Sequence, residues 1–160
     1  MTRAQAILYG GLTVGTLDFL DACVFFGIRN GLTPIDIAHS IAAGWLGGQA
    51  ARAGGLPTAA LGFARHYFIA FSIVTVFVLA SARIPALIRK PKATGMLYGI
   101  AVYFFMNWVV IPMSAIGGTP RLVFNGPFFN GILIHMFGVG LPSAWFAEKV
   151  RSEKSEVRSL

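Results

Sequence analysis

Four apolar runs set the limits on what this chain can fold into. They cover residues 4–28, 57–82, 93–113 and 127–147, and each reaches the roughly 20 residues a helix needs to cross a hydrocarbon core. Charged residues make up only 12% of the 160 residues, about half the share usual for a water-soluble domain. Backbone polar groups must be satisfied internally at membrane depth, so apolar runs of this length are expected to be helices. The fold class expected is all-α: a four-helix membrane bundle forming one domain over residues 1–160.

The segment between the first two runs reads differently. Asn30-Gly31 is a turn. Thr33-Pro34-Ile35-Asp36 carries an N-cap residue, a first-turn proline and an acid at the positive end of a helix. The helix it starts, about 34–46, is too short and too polar to span. It is expected to be an amphipathic interfacial or re-entrant helix. Residues 47–55 read as loop, and 148–160 as a charged tail.

The net charge of +7 does not point to nucleic acid, because the basic residues gather at the ends of the apolar runs. The loop after the second run and the C-terminal tail hold four Lys/Arg each, and Arg3 precedes the first run. The opposite side has only Arg29, Arg52 and Arg121. The positive-inside rule then places both termini in the cytoplasm. Counting the 34–46 helix as a fifth span would break that pattern. The single cysteine, Cys23, excludes an intrachain disulfide framework. Asp18 and Asp21 interrupt the first run where signal cleavage would need it apolar, so this run is expected to be retained.

Within the runs, a few polar residues stand out. Charge at membrane depth costs about 2.5–3.5 kcal/mol even on insertion scales, so such side chains are expected to face a bundle interior. Arg65 and His66 are adjacent in the second run. Gly11, Gly15, Asp18 and Ala22 share one face of the first. Gly95 and Gly99 precede Asn107 in the third. Gly131, His135 and Gly138 lie on one face of the fourth. At 1.5 Å per residue, Asp18 and Asn107 lie roughly 21 Å from the cytoplasmic ends, and the histidines about 12–13 Å from the other surface. Asp18, Asp21, Arg65, His66, Asn107 and His135 thus form one layer in the outer half of the membrane. The helix carrying His39 lies on the same side, where it can cover the opening.

Two readings of this layer compete. In one it is structural: Asp18 or Asp21 pairs with Arg65, and the histidines and Asn107 bond across helices. In the other it lines a pocket for a small solute, ion or proton. His66 and His135 are also candidate ligands for a haem or a transition metal, although no H-x-x-x-H or H-E-x-x-H spacing supports this, and no cofactor is predicted. No nucleophile–base pair is legible, so the sequence leans away from an enzyme. The expected surroundings are the lipid bilayer and a homo-oligomer or larger membrane complex, since four spans are few for a complete transporter. G-x-x-x-H-x-F recurs at 62–68 and 131–137, which hints at two hairpins related by an axis along the membrane normal.

The motifs TLDFLDA, ARHYFIAF, YGIAVYFFMNWVVIP and NGILIHMFGVGLP together resemble a family of small bacterial inner-membrane proteins of uncharacterised activity. The likeness runs from 10 to about 146. It implies four spans and an inner-membrane location, and implies no activity.

Overall fold

The fold follows from where glycine, proline and the capping residues interrupt an otherwise helix-forming apolar chain. A computed structural model describes residues 1–157, with side chains through residue 150. Helix α1, Arg3–Asn30, starts in a capping box between Thr2 and Gln5 and stops where Gly31 turns left-handed at φ 68°. Helix α2, Pro34–Leu46, is the short amphipathic helix. Thr33 caps it, and the Asp36 carboxylate accepts from the Thr33 N–H at 2.9 Å and its hydroxyl at 2.6 Å. Those bonds hold the Asp36 carboxyl below its ordinary range.

The expected loop at 47–55 is instead largely helical. A short helix α3, Gly48–Ala53, sits between Gly47 and Gly55, both with positive φ. The two glycines mark breaks, but the alanines between them are good helix formers. Ala51 is fully buried against Ala42 and Ala43. Thr58 ties this turn to the next helix by donating to the Ala51 and Gly55 carbonyls.

Helix α4, Gly55–Arg83, is followed by a 3₁₀ turn at Pro85–Ile88. Helix α5, Pro91–Phe105, continues into a π-helical turn, Met106–Val110. The α5 rod therefore ends three residues before the expected 113. Asn125 caps helix α6, Gly126–Ile134, by accepting from the Phe128 N–H. A second π-helical turn, His135–Gly140, joins α6 to α7, Leu141–Val157, in one rod. The segment read as a tail from 148 is thus still helical to Val157; residues 158–160 lie outside the described residues.

Four rods are long and apolar enough to cross a membrane: Arg3–Asn30, Gly55–Arg83, Pro91–Val110 and Gly126–Val150. No more than 28% of any rod's apolar window is buried within the chain. The outward faces carry Leu20, Val24, Phe68, Val76, Leu97, Phe105 and Leu133 in exposed positions. A monomer in water rarely leaves so much apolar surface open.

Small residues set the packing. A Cβ on Gly99 would sit 1.9 Å from the His135 carbonyl oxygen, and one on Gly140 would sit 2.0 Å from that of Gly95. Helix α5 and the last rod therefore meet backbone to backbone. Gly11 and Gly15 of α1 receive the Phe71 and Tyr67 rings of α4. The two hairpins share one trait: the second glycine of the pair meets the turn that carries the histidine. They differ in what is exchanged there. Gly15 takes the His66 imidazole on its carbonyl, whereas Gly99 takes the His135 backbone. Gly62 and Gly131, equated by the repeated motif, face different partners, the Ala38 carbonyl and the Tyr103 ring.

Toward the end with the basic loop, the bundle is filled by Val14, Val74, Phe77, Val78, Val139, Ala144 and Phe146, all buried. Tyr98 enters this core with its hydroxyl donating to the Ile73 carbonyl at 2.7 Å. Toward the other end the rods hold space between them.

Candidate functional site

The polar layer divides into two flanks. The first lies against α2. Arg65 donates from Nη1 to the Ile41 carbonyl at 2.7 Å, and its guanidinium lies 5.1 Å from the centre of the Trp45 ring. It packs so closely on Gly44 that a Cβ there would overlap it. The expected Asp–Arg pair does not form: among the described residues, no carboxylate lies within 4.0 Å of Arg65. The reason is helical geometry. Adjacent residues on a helix point about 100° apart, so with His66 aimed at α1, Arg65 must aim at α2.

The helix that carries His39 does border a space between the rods, one that Ile37, Ser40 and Ile41 line together with His66, but His39 itself is engaged elsewhere. Its Nε2 bonds the Gly55 carbonyl at 2.8 Å and fastens α2 to the start of α4. His66 bonds the Gly15 carbonyl through Nε2 at 2.8 Å. A carbonyl can only accept, so this nitrogen carries the proton. The other, Nδ1, is left 4.0 Å from Asp18 Oδ2.

The second flank encloses a cavity of about 510 Å³ between α1, α5, α6 and the 111–125 loop. Asp18 and Asp21 line it from α1, Tyr103 and Asn107 from the α5 rod, and Asn130 and His135 from the last rod. Asp21 Oδ2 accepts from Asn130 Nδ2 at 2.7 Å. Arg121 lines it from the loop. A second cavity of about 340 Å³ lies deeper, toward α4, and reaches His66. Asp18, Ala22, Phe26, Asn107 and His135 line both, so the two spaces are neighbours across those side chains. Beyond the deeper one lies the sealed apolar core.

Both π-helical turns fall at this boundary: Asn107 is within one, and His135 begins the other. In the first, the Ile111 N–H reaches back five residues to the Met106 carbonyl. Such turns shift side chains out of the regular register and recur at functional sites. Asn107 Nδ2 and His135 Nδ1 each bond a carbonyl four residues back, those of Tyr103 and Gly131, at 2.9 Å. That leaves Asn107 Oδ1 and His135 Nε2 for the cavity. No buried side-chain nitrogen or oxygen lacks a partner among the described residues. The unspent polar atoms are those facing open space.

Of the seven residues singled out from sequence, the structure brings Asp18, Asp21, Asn107 and His135 to the outer cavity and His66 to the inner one. It sends Arg65 and His39 elsewhere. Sequence reading missed Tyr103, Arg121 and Asn130. Asn130 had a usable signal, since it sits one residue before Gly131 on a rod already identified. Among the described residues, no group of three or more His, Cys, Asp or Glu side chains could hold a metal ion. Each of His66 and His135 spends one ring nitrogen on a backbone carbonyl.

The chain matches no family model, no curated protein and no solved structure.

Proposed function

We propose that this chain is a multi-pass protein of a bacterial inner membrane, with both termini cytoplasmic, that binds a small solute, ion or proton in a polar chamber open to the periplasmic side. The observation that carries the reading is the outer cavity: two carboxylates share it, and among the described residues neither has a lysine or arginine within 4.0 Å. Uncompensated acids at membrane depth are costly, and a ligand or proton offsets that cost. The orientation rests on Lys/Arg placement: the cavity lies at the end away from Arg83, Arg89, Lys90 and Lys92. The apolar core beneath the inner cavity makes the chamber a dead end within one copy, which favours binding over open conduction.

A second reading, a non-catalytic accessory or scaffold subunit, draws support from the first flank. Arg65, His66 and His39 all spend hydrogen bonds on backbone carbonyls of other segments. That work is structural and leaves the cavity unexplained.

Site-directed thiol labelling tests the proposal. Ala22 lines both cavities, and in a Cys23→Ser background Ala22→Cys is expected to react with a membrane-impermeant maleimide added from the periplasmic side. Absence of labelling from that side, with labelling after denaturation, would contradict an open chamber.

A further inference from the structure

The cavity's chemistry is asymmetric along its depth, and this narrows what it can hold. Its deep wall carries the carboxylates. Of the α1 residues that line the outer space, Asp18 is the one farthest from the loop end of the helix, so it marks the floor. Asp21, one helical turn away, has one oxygen committed to Asn130. Arg121, by contrast, lines only the outer space and belongs to the exposed loop at the mouth. Among the described residues Arg121 has no ionic or hydrogen-bonded partner. Negative charge lies below and positive charge above.

The walls between them are aromatic. Tyr103 and Phe128 meet edge to face with centroids 5.8 Å apart, and Phe26 and Trp108 are the other aromatic residues of the lining. Aromatic faces beside carboxylates suit an organic ammonium, which is attracted to ring quadrupoles and needs no hydrogen-bond geometry. An arginine at the mouth suits a carboxylate or phosphate, whose oxygens match its forked donors. A volume of about 510 Å³ falls within the ordinary range for small-molecule sites. A bare metal ion would leave the aromatic walls and Arg121 unused. A simple anion would have to sit against two carboxylates.

Resting on the solute-binding reading above, we infer that the chamber takes a small zwitterion, with its organic ammonium toward Asp18 and Asp21 and its anionic group toward Arg121. The same chemistry is found in a free solute and in the headgroup of a zwitterionic phospholipid.

The test is isothermal titration of the full-length protein in maltoside micelles with four probes: phosphocholine, phosphoethanolamine, choline and inorganic phosphate. At least one of the two zwitterions is expected to bind about tenfold or more tightly than choline, with phosphate weakest, since one added charge-assisted contact is worth roughly a factor of ten. Arg121→Gln is expected to reduce the zwitterion to the level of choline, and Asp21→Asn to weaken zwitterion and choline alike. Ala22→Cys labelling serves as the control. If the cysteine labels but neither zwitterion binds, or if choline or phosphate alone binds as well as the zwitterions, the inference is overturned while the open chamber stands. If the cysteine does not label, the chamber itself is refuted. For the source, the labelling is repeated in nanodiscs of phosphatidylglycerol with and without phosphatidylethanolamine. Protection by the added lipid supports a headgroup ligand, and protection only by free probe supports a soluble one.

Discussion

Arg65 and Asp21 are both ionisable residues at similar depth in the same bundle, yet they live in opposite circumstances. Arg65 is bonded to the Ile41 carbonyl and packed between Gly44 and Trp45. Among the described residues Asp21 has one hydrogen-bond partner, Asn130, and it looks into a cavity. The first side chain is consumed in holding α2 against α4. The second is held in place by a neighbour and left open on its other side. Residue type and depth are common to both. The difference lies in whether the opposing surface is backbone or empty space.

That contrast can be broken most forcefully at Gly62. A Cβ there would come within 1.9 Å of the Ala38 carbonyl oxygen, backbone that has no rotamer to yield. Gly62→Ala is expected to cost about 3 kcal/mol and to free α2, read as new protease cleavage within 47–55. Unchanged proteolysis would mean that α2 is not docked through this contact.

His66 is the intermediate case, since it touches both flanks. His66→Ala removes the bond to the Gly15 carbonyl and ring contacts with Phe19 and Tyr67. The expected loss is roughly 2 kcal/mol, from the sum of one hydrogen bond and partial aromatic packing. Chemical denaturation in mixed micelles would measure it. His135→Gln should cost less than about 1 kcal/mol, because the lost contacts are one bond within its own rod and an edge contact with Tyr103. A loss equal to that of His66→Ala would assign His135 to the structural flank.

The smallest effect is a pH dependence at the start of α2. Thr33 lowers the Asp36 pKa, so this cap stabilises the helix at pH values above the ordinary carboxylate range near 3.9. It is lost as the pH falls below that range toward the folded-state value. Backbone amide exchange in the first turn of α2 should therefore quicken at acid pH, and Thr33→Ala should produce the same quickening at neutral pH.

Much of the fold was legible because it depends on local rules. The four rods follow from run length, and α2 begins where Thr33, Pro34 and Asp36 say it should. The floor of the site was legible from helical phase, which put Asp18 on the glycine face of α1. Four features were not. The Arg65 partner depended on where α2 docks, and no periodicity within α4 could reveal that. The short helix α3 was hidden because the flanking glycines signal breaks without telling what lies between them. The π-helical turns at Asn107 and His135 shift register by one residue, and a phase argument built on a regular helix cannot detect them. Arg121 lies in a loop, where no phase exists to read.

The central claim is that one flank holds the fold and the other holds a site. Thermal unfolding of Arg65→Ala and Asp21→Asn, measured side by side in the same detergent, tests it most directly. Arg65→Ala is expected to lose about 2–3 kcal/mol, from a charge-assisted hydrogen bond and a cation–π contact, and its midpoint should fall well below that of the parent protein. Asp21→Asn keeps an acceptor for Asn130 and should unfold within a degree or two of the parent, a shift of about 0.5 kcal/mol or less. If Asp21→Asn falls as far as Arg65→Ala, the carboxylate is structural too, and the division of the polar layer into two roles is wrong.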